Sequence, residues 1–497
     1  MFETTFVGRQ AELDLIERLW LEQKSTLIIL YGRRRVGKTR LLTHWLQQHP
    51  EDALYWMAEP TSAHDQLRSF SQALLNFADP ETPASPDFSY DSWEHALRQA
   101  SLLARERRFA LFIDEVTYIM DVNPAMAGTL QKAWDHWLSK SNLMLALSGS
   151  QMGLMQRHLL SYQAPLYGRA TAQIKLPPLP FGVTSQYFPN YDAAERVNLY
   201  AIWGGVPAYW ERLSNQRSVA DNLREQLSPS NAWMLDESRL LLQDFITDPY
   251  NYVGIMRAIA DGKQMLGEIS KRVGLSGGST SKYMSVLRET GFVAREVPVT
   301  KRNIETRQGR YVVTDPYLRF YYRFLAAYQS KIALGRQRQM FEKIQDDLPS
   351  FIQMNTWTEL CREWVLRASA QDEIPVSIEH VGSEWRRSFT IDIAGIDEYA
   401  HTLVLGACFW DETADPVEAI QTLLKRTSTV LPDDGERWTI YYTLFKKDDW
   451  SAKDKELVEM EIRNIPGKKR RWQAAGISLV DLSRLDADLT RWADETD

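Results

Sequence analysis

The chain contains 497 residues, more than one hydrophobic core usually supports, so we expect about three domains. Its 58 basic and 65 acidic residues give a net charge of −7, which excludes a strongly basic field over the whole molecule. Any contact with nucleic acid must therefore come from a local patch. Two cysteines, Cys361 and Cys408, are too few for a disulfide framework or a zinc site. The first residues lack a signal-peptide pattern and no apolar run reaches membrane-spanning length, so we expect a cytoplasmic protein with no membrane contact.

The first predicted element is a turn followed by a helix. Phe6, Val7, Gly8 and Arg9 lead into a helical stripe of apolar residues between positions 13 and 20. Folded back onto the next segment, this turn would place Phe6 and Val7 against an adenine ring. The alternative is a helix that only packs against the core, and periodicity does not distinguish the two.

A predicted phosphate-binding loop comes next. An apolar run at 27–31 is typical of a buried strand, and residues 32–39 then fit G-x-x-x-x-G-K-[ST] at every fixed position before a helix begins. Gly32 and Gly37 let backbone N–H groups converge on a β-phosphate at the positive end of that helix. Lys38 reaches phosphate oxygens, and the Thr39 hydroxyl holds Mg²⁺. We therefore predict binding of ATP with Mg²⁺, although the loop alone does not distinguish ATP from GTP.

Residues 52–103 are predicted to be mainly helical, with a loop near 80–88. They are followed by an apolar strand at 109–113 that ends in Asp114 and Glu115. Because parallel strands bring their carboxyl ends to one sheet edge, these acids should meet the phosphate loop. Asp114 is then placed to hold Mg²⁺ through water, and Glu115 to polarise the attacking water.

A further buried strand at 143–147 ends in hydroxyl groups instead of acids. Ser148 or Ser150 would orient the water or sense the γ-phosphate, and a Ser-Gly-Ser turn without a function is the alternative. Farther along the chain, Arg169 is a candidate stabiliser of the charge that develops in phosphoryl transfer, in its own subunit or across an interface. An exposed arginine that only forms a salt bridge is the alternative.

Residues 250–325 follow the order helix, helix, turn, helix, hairpin, which is the layout of a winged helix. If this module binds duplex DNA, its third helix enters the major groove and its hairpin lies near phosphates. The candidate DNA contacts are Lys282, Tyr283, Lys301 and Arg302. The alternative is a module that only packs against a neighbour or a partner. The aromatic helix that follows, from position 315, is predicted to be core or interface.

From about residue 350 the pattern alternates between helix and strand. A helix carries Glu359, and a strand near 390–394 carries Asp392. A second strand is predicted at 403–410, next to the first. A helix at 414–426 and a strand at 438–444 follow, so this last third should be a separate α/β domain.

Taken together, these motifs resemble those of the prokaryotic and archaeal-type ATPases, a branch of the P-loop ATPases close to AAA+ and STAND proteins. The matching segments, all in family order, are 6–13, 32–39, 112–115, 148–150, 166–169, 204–207 and the winged helix. The resemblance covers most of the chain and implies an ATPase. The residues it assigns to ATP binding are Phe6, Val7, Gly8, Arg9, Gly32, Arg33, Arg34, Arg35, Val36, Gly37, Lys38, Thr39 and Arg40.

In this family the C-terminal region resembles nucleases of the PD-(D/E)xK type, whose site needs a helix Glu, a strand Asp and a following Glu-x-Lys. The carboxylates hold a divalent metal and the lysine assists water attack. Glu359 and Asp392 match the first two positions, whereas the last two fall on Ala407 and Phe409. One carboxylate and the lysine are missing, so the resemblance implies a vestigial nuclease domain that no longer cleaves.

The expected fold class is α/β, with a P-loop NTPase parallel sheet and helical lid, then a winged helix and a C-terminal nuclease-like domain. The predicted domains are residues 1–180, 181–249, 250–330 and 345–497. The leading hypothesis is a Mg²⁺-dependent ATPase that acts as a DNA-linked conformational switch, with Lys38, Glu115, Ser150 and Arg169 catalytic. The alternatives are a nucleotide-responsive DNA-binding regulator with little turnover and, less well supported by the residues, a metal-dependent nuclease. A protein partner or a second copy of the chain is left open.

Overall fold

The computed structural model describes residues 6–228, 233–243, 249–301, 308–410, 415–464 and 471–495. They fall into two units, which we describe separately. The amino-terminal unit holds the described residues of 1–179 and 206–212, and the carboxy-terminal unit holds those of 180–205 and 213–495. The predicted α/β fold class is confirmed in both units.

The strands, in chain order, are β1 (Thr26–Tyr31), β2 (Ala53–Met57), β3 (Phe109–Asp114), β4 (Leu143–Gly149), β5 (Ala172–Lys175), β6 (Val293–Glu296), β7 (Arg310–Val313), β8 (His380–Trp385), β9 (Thr390–Asp397), β10 (Thr402–Phe409), β11 (Trp438–Lys446) and β12 (Trp472–Asp481). The α-helices are α1 (Gln10–Leu21), α2 (Lys38–Gln48), α3 (Ala63–Ala78), α4 (Trp93–Glu106), α5 (Thr117–Val122), α6 (Met126–His136), α7 (Met152–Met155), α8 (Thr184–Tyr187), α9 (Ala193–Trp203), α10 (Pro207–Trp210), α11 (Val219–Gln226), α12 (Trp233–Gln243), α13 (Tyr250–Ala260), α14 (Leu266–Val273), α15 (Gly277–Glu289), α16 (Pro316–Phe320), α17 (Gln329–Ala333), α18 (Arg338–Ile352), α19 (Thr358–Ala370), α20 (Pro416–Val430), α21 (Ala452–Arg463) and α22 (Leu482–Asp494).

A parallel five-stranded sheet organises the amino-terminal unit, in the order β2-β3-β4-β1-β5. Its strands are apolar runs because both faces are covered. One face packs against α3, α4 and α6, and the other packs against α1 and α2. The carboxyl ends of β1, β3 and β4 therefore share one edge, where the phosphate loop begins.

The helical prediction for 52–103 is wrong at its start. Residues 53–57 form β2, an edge strand that pairs with β3 from Ala53↔Ala110 to Met57↔Asp114. The run Ala-Leu-Tyr-Trp-Met is too short to show a strand period, and only two of its side chains are buried. Pairing with β3, which lies far along the chain, decides its conformation.

The carboxy-terminal unit contains a winged helix made of α13, α14, α15 and the antiparallel pair β6–β7, in register from Val293↔Val313 to Glu296↔Arg310. We call β6, β7 and the described residues between them, 297–301 and 308–309, the wing. A second five-stranded sheet follows, in the order β12-β11-β10-β9-β8. Strands β8, β9 and β10 are antiparallel neighbours, and β10, β11 and β12 are parallel neighbours. The predicted neighbours at 390–394 and 403–410 do pair, as β9 and β10.

Candidate nucleotide site and nucleic-acid interface

The phosphate loop joins the carboxyl end of β1 to the start of α2. Gly32 passes so close to the backbone carbonyl of Leu176 that a Cβ atom there would clash with it. Gly37 has a φ of +98° and immediately precedes the first residue of α2. A side chain at that φ is strained, so the motif needs glycine at this point. The loop therefore curls above the amino end of α2, and the first N–H groups of a helix, which have no partner within the helix itself, favour an anion.

Lys38 points back into the curl of its own loop. The side chain is 5% exposed, and its Nζ atom donates hydrogen bonds of 3.1 Å to the carbonyl oxygens of both Gly32 and Arg33. An ammonium group at this position carries its charge inside the loop, where phosphate oxygens would lie. The predicted contact between Lys38 and phosphate oxygens stays a prediction.

Thr39 and Asp114 meet across the site. Thr39 Oγ1 donates to Asp114 Oδ2 at 2.6 Å, and the Tyr55 hydroxyl donates to the same carboxylate oxygen at 2.8 Å. The backbone N–H of Glu115 donates to Asp114 Oδ1 at 2.9 Å, so both oxygens of this buried carboxylate are oriented. Burial and the Asp114 charge raise the pKa of Tyr55 well above its usual range, so the phenol keeps its proton.

This donor set fits Mg²⁺ in a nucleotide site. Mg²⁺ usually takes one or two protein oxygens, several waters and substrate phosphates, instead of an all-protein cage. Thr39 and Asp114 offer one hydroxyl and one carboxylate, side by side at the loop. Within the described part of the chain, no group of three or more His, Cys, Asp or Glu side chains is placed to hold a metal ion.

Glu115 is held by Ser150, which follows β4. The Ser150 Oγ atom donates to Glu115 Oε2 at 2.8 Å, and the Ser150 backbone N–H donates to the same oxygen at 3.2 Å. Glu115 has a φ of +50°, which is unusual for a residue with a side chain and is a feature of functional sites. The neighbouring Ser148 is fully buried on β4, and its hydroxyl has no hydrogen-bond partner among the described residues.

The segment before α1 contacts the phosphate loop through Arg9. Arg9 is 6% exposed and donates to the carbonyl oxygens of Val36, at 3.2 Å, and Pro177, at 2.5 Å. Burial lowers the pKa of Arg9, with Glu12 opposing the effect. The Phe6 ring stacks on His44 of α2 with 4.1 Å between centroids. Val7 and Gly8 lie between these two contacts and remain candidates for ATP binding.

The loop arginines are directed to separate partners. The Arg33 guanidinium donates to the Tyr209 hydroxyl at 3.1 Å, and that of Arg34 donates to the Tyr118 hydroxyl at 3.0 Å. Arg40, in the first turn of α2, forms an ion pair of 3.2 Å with Glu211. Arg35 has a φ of +69°, so its backbone contributes to the sharp curl of the loop.

Arg169 lies at the opposite edge of the sheet from the phosphate loop. It comes just before β5, which runs parallel to β1, and the next residues pair with the start of β1 through the bond from Thr171 N–H to Leu27 O. Its guanidinium forms two hydrogen bonds to Asp135, at 2.7 and 2.9 Å. The prediction that Arg169 acts in the site of its own subunit is therefore wrong, because a strand separates the two. A role in a neighbouring copy stays a prediction.

The candidate DNA contacts differ in their surroundings. Lys282 is exposed on α15, the third helix of the winged helix. Tyr283 is half-buried and accepts a hydrogen bond from Asn251 at 3.0 Å, so it packs within the winged helix and is a poor candidate for a base contact. Lys301 is also half-buried and donates to Gln308 at 3.3 Å. Arg302 lies outside the described residues.

The wing packs against β8 of the second sheet. The backbone N–H and hydroxyl of Thr300 donate to buried Glu384 at 3.0 and 2.9 Å. Trp385 Nε1 donates to the carbonyl oxygen of Gln308 at 3.2 Å, and the Arg310 guanidinium lies 4.5 Å from the centre of the Trp385 ring. These contacts involve the part of the wing that the sequence predicts to lie near DNA phosphates.

A cavity of about 470 Å³ marks the nuclease-like site. Asp392, Ala407 and Phe409 line it together, so the two positions expected for Glu-x-Lys do share a cavity with the strand aspartate. Burial raises the pKa of Asp392, against the effect of Arg362 and Arg426, which makes the carboxyl a poorer metal ligand. Glu359 is directed elsewhere, because its two carboxylate oxygens accept from Arg319 at 2.8 Å.

The prediction that Glu359 is a vestigial metal ligand beside Asp392 is therefore not supported by its contacts. The Glu359 helix directs this residue toward the segment that follows the winged helix, where the buried Arg319 guanidinium needs a carboxylate.

Three tyrosines at the nucleotide site, Tyr55, Tyr118 and Tyr209, are not predicted from the sequence. Tyr55 lies in the strand that was predicted to be helix, and no motif marks the other two.

Comparison with known families shows three matches along the chain. Residues 6–213 match an ATPase domain predominantly from Archaea. Residues 252–296 match the IclR helix-turn-helix domain, and residues 321–420 match a family described as "Archaea bacterial proteins of unknown function". The predicted combination of an archaeal-type ATPase domain with a winged helix is confirmed. The protein is thus an ATPase by its amino-terminal domain.

Individual relatives are similar over different lengths. An uncharacterized protein of Methanocaldococcus jannaschii is 26% identical over 446 residues, which are 89% of this chain and 95% of that protein. An uncharacterized ATP-binding protein of the same organism is 60% identical over 42 residues, or 8% of this chain and 71% of that protein. Among the helices that the structure describes, none combines the length and apolar character needed to cross a bilayer.

Two solved structures align with part of this chain. A Walker-type ATPase of Pyrococcus abyssi has a TM-score of 0.48 and 19% identity, over 63% of this chain and 95% of its own. The Orc1 protein of Aeropyrum pernix, solved in complex with DNA, has a TM-score of 0.32 and 13% identity, over 66% of this chain and 95% of its own.

Proposed function

We propose that this chain, whose residues 6–213 are an ATPase domain, hydrolyses ATP with Mg²⁺ to drive a conformational switch. The observation that carries the proposal is the contact between Thr39 Oγ1 and Asp114 Oδ2. It brings the metal-binding hydroxyl of the loop to the metal-binding acid of β3, with Glu115 directly beside them. These are the parts that phosphoryl transfer to water requires.

Each residue has a role in this proposal. Lys38 and the loop N–H groups bind the β- and γ-phosphates, and Thr39 and Asp114 hold Mg²⁺, which neutralises phosphate charge when bound. Glu115 takes a proton from the attacking water as the bond from γ-phosphorus to the bridging oxygen breaks. Ser150 orients Glu115 through its two hydrogen bonds. The wider set of ATP-binding residues, from Phe6 to Arg9 and from Gly32 to Arg40, surrounds the nucleotide.

Arg169 enters the proposal only across an interface between two copies. Its guanidinium would have to leave Asp135, with which it forms a partly exposed ion pair. Exposed ion pairs contribute on the order of 1 kcal/mol or less, so the exchange for a phosphate on a neighbouring chain costs little. A dependence of the specific activity on protein concentration would support this role.

The second part of the proposal is a link to duplex DNA. The winged helix matches a helix-turn-helix family, and its α15 exposes Lys282 beside small polar residues. A helix with this surface suits the major groove. Because the wing is packed against β8, α15 would make most of the contact. The alternative of a DNA-binding regulator with little turnover shares this surface and differs only in the rate of hydrolysis.

The test is ATP turnover by the purified full-length chain with Mg²⁺, with and without duplex DNA. We expect Lys38→Ala to lose on the order of 100-fold or more in turnover. Lys132→Ala, which removes an exposed lysine paired with Glu94 on the same unit, is the matched control and should keep the wild-type rate. Unchanged hydrolysis by Lys38→Ala would falsify the assignment of the site.

The measurements with duplex DNA test the ATPase function and the link to DNA separately. Turnover that rises with duplex DNA would couple the nucleotide site to the winged helix. Salt-sensitive DNA binding with hardly any turnover would favour the regulator. Turnover without DNA binding at low salt would leave a switch that acts on a protein partner, whose identity nothing in the chain specifies. A cytoplasmic location stays a prediction.

A further inference from the structure

A second cavity, of about 390 Å³, lies in the carboxy-terminal unit, between the winged helix and the helices that follow it. One wall consists of the end of α13, the turn after it and β7. The other consists of residues of α16, of α18 and of the segments that follow these two helices. Small-molecule sites usually have volumes of about 300–1,000 Å³, so this cavity is large enough to hold a ligand. It shares no lining residue with the cavity of the nuclease-like site.

Two arginines, Arg319 and Arg323, line this cavity from the helical wall. Arg319 is 6% exposed, and its terminal nitrogens donate to Asn355, to the Thr314 carbonyl oxygen and to Glu359. The Nε–H group of Arg319 is buried and has no hydrogen-bond acceptor among the described residues. A buried donor without an acceptor is uncommon and costs stability. It therefore marks a point where the oxygen of a ligand would be favourable.

Asp347 also lines the cavity and has two cationic neighbours. The Arg323 guanidinium lies 3.5 Å from Asp347 Oδ2, and Lys343 Nζ lies 3.2 Å from the same oxygen. The contact with Arg323 is longer than an ordinary hydrogen bond, and both side chains are about one-third exposed. Each group can therefore bind a ligand as well, the guanidinium a carboxylate and the carboxylate an ammonium group.

Part of the lining is apolar. Ile259, Val313 and Phe351 are buried residues of the two walls, and Met354 is 69% exposed where it lines the cavity. Ligand sites typically combine an apolar wall with a few polar groups that set the orientation of the ligand. A methionine adapts to the shape of a bound hydrocarbon group because its side chain is unbranched and flexible.

The backbone of the helical wall is irregular at two points. Residues Tyr321–Leu325 and Gln353–Trp357 each form a π-helical turn, and these turns carry Arg323, Met354 and Asn355. Such turns are rare in proteins and occur frequently at functional sites. Their presence at one wall of the same cavity supports a binding role independently of the charges.

We propose that this cavity binds a small zwitterion, an α-amino acid with an apolar side chain. Its carboxylate accepts hydrogen bonds from Arg319 Nε and Arg323, and its ammonium group donates to Asp347. Its side chain lies against Phe351 and Met354. A ligand that contacts both walls stabilises their packing, and this inference does not depend on ATP hydrolysis. The competing explanation is a surface ion pair without a ligand.

The first test is isothermal titration calorimetry of the full-length protein with L-leucine, L-methionine and L-phenylalanine. We expect at least one of them to bind with a Kd of about 1 mM or lower and to raise the melting temperature of the protein. The N-acetyl derivative of that amino acid lacks the ammonium group, and the corresponding amine lacks the carboxylate. Each should bind at least about tenfold more weakly, because polar groups of the site are then left unpaired. No detectable binding of any of the three amino acids, or equal binding of either analogue, overturns the proposal.

Three variants then test the location of the site. Arg323→Gln and Asp347→Asn each remove one charge at a partly exposed position, and Ser350→Phe introduces a ring at an exposed position that lines the cavity. Each should weaken binding at least about tenfold while circular dichroism shows a folded chain. Arg338→Gln breaks an exposed ion pair with Glu342 on the helix that carries Asp347, and this matched control should bind like the wild type. A variant that does not fold is set aside, and the others decide. Unchanged binding in any folded variant of the three overturns the proposal.

Discussion

Ser150 donates two hydrogen bonds to a single carboxylate oxygen of Glu115, one from Oγ at 2.8 Å and one from the backbone N–H at 3.2 Å. The end of β4 thus fixes the acid that follows β3, across two neighbouring strands of the sheet. One oxygen of Glu115 is committed to Ser150, so the other is the one that would meet water. Ser150 has no acid–base role of its own, and its part in the site is to orient Glu115.

For Ser150→Ala we expect a five- to tenfold lower kcat with little change in KM, because the backbone N–H still holds Glu115 more loosely. Glu115→Gln should lose on the order of 100-fold or more while nucleotide binding persists. Steady-state kinetics paired with nucleotide-binding measurements would check both. A faster Ser150→Ala enzyme would contradict this prediction and show that Ser150 holds Glu115 away from the water.

Removing the Tyr55 hydroxyl should weaken the response to Mg²⁺. Tyr55 orients the Asp114 oxygen that also meets Thr39, and such partners of metal-binding groups typically contribute about 10-fold or more in metal affinity. In Tyr55→Phe we expect the Mg²⁺ concentration for half-maximal turnover to rise about 10-fold, with the maximal rate nearly kept. Because burial and Asp114 raise the pKa of Tyr55 far above neutrality, the wild-type rate should show no ionisation of this phenol between pH 6 and 9. An unchanged Mg²⁺ midpoint would remove Tyr55 from the site.

The pair of Arg319 and Glu359 should matter for stability, not for cleavage. Arg319 is 6% exposed and Glu359 is about half exposed, so removing the arginine breaks a partly buried two-fold contact. We expect Arg319→Ala to lower the free energy of unfolding by about 2–3 kcal/mol in urea titrations. The exposed pair of Arg338 and Glu342 is the control, and Arg338→Ala should cost less than about 1 kcal/mol. Equal effects of the two variants would argue against a special role for the buried pair.

If α15 binds duplex DNA through phosphates, Lys282→Ala should weaken binding similarly for all sequences. The plot of log affinity against log salt should lose about one unit of slope, since one fewer counterion is released. Lys132→Ala, on the other unit, should leave the slope unchanged. Fluorescence anisotropy with a labelled duplex at several salt concentrations gives the measurement. The same slope in all three proteins would take Lys282 out of the interface.

Both cysteines should resist thiol reagents in the native protein. Cys361 and Cys408 are buried, and burial together with the neighbouring Cys408 thiol raises the pKa of Cys361 well above its usual range. Since the thiolate is the reactive form, modification should be slow until the chain unfolds. A chromogenic disulfide reagent should count fewer than about 0.2 thiols per chain in native buffer within an hour, and two in denaturant. Rapid native labelling of either residue would show that this region opens readily.

The nucleotide site was predictable because its chemistry is local in sequence. The loop from Gly32 to Thr39 and the strand ending in Asp114 and Glu115 each combine an apolar run with a fixed motif. Their meeting at one sheet edge follows from parallel pairing. The winged helix was visible for a similar reason, since its short helices and hairpin follow each other without interruption.

What the sequence did not show depends on contacts between distant segments. Tyr55 reaches Asp114 only because residues 53–57 pair as an edge strand, which no local period indicates. The motif around Arg169 does not show at which edge of the sheet this residue lies. Arg169 comes just before β5, which runs parallel to β1, so it lies at the sheet edge opposite the phosphate loop. Glu359 occupies the helix position expected for a carboxylate of a PD-(D/E)xK nuclease. Its helix places it against Arg319, however, and the two side chains form an ion pair.

The contact between the wing and β8 gives the second sheet a structural role that does not depend on cleavage of nucleic acid. Buried Glu384 accepts the hydrogen bonds from the Thr300 backbone N–H and hydroxyl. Trp385 Nε1 donates to the Gln308 carbonyl oxygen, and the Arg310 guanidinium lies over the Trp385 ring. Cutting the chain between the winged helix and this sheet would remove both Thr300 donors from buried Glu384 and would uncover Trp385. The winged helix and the second sheet should therefore be stable only together, whether or not the sheet domain cleaves nucleic acid.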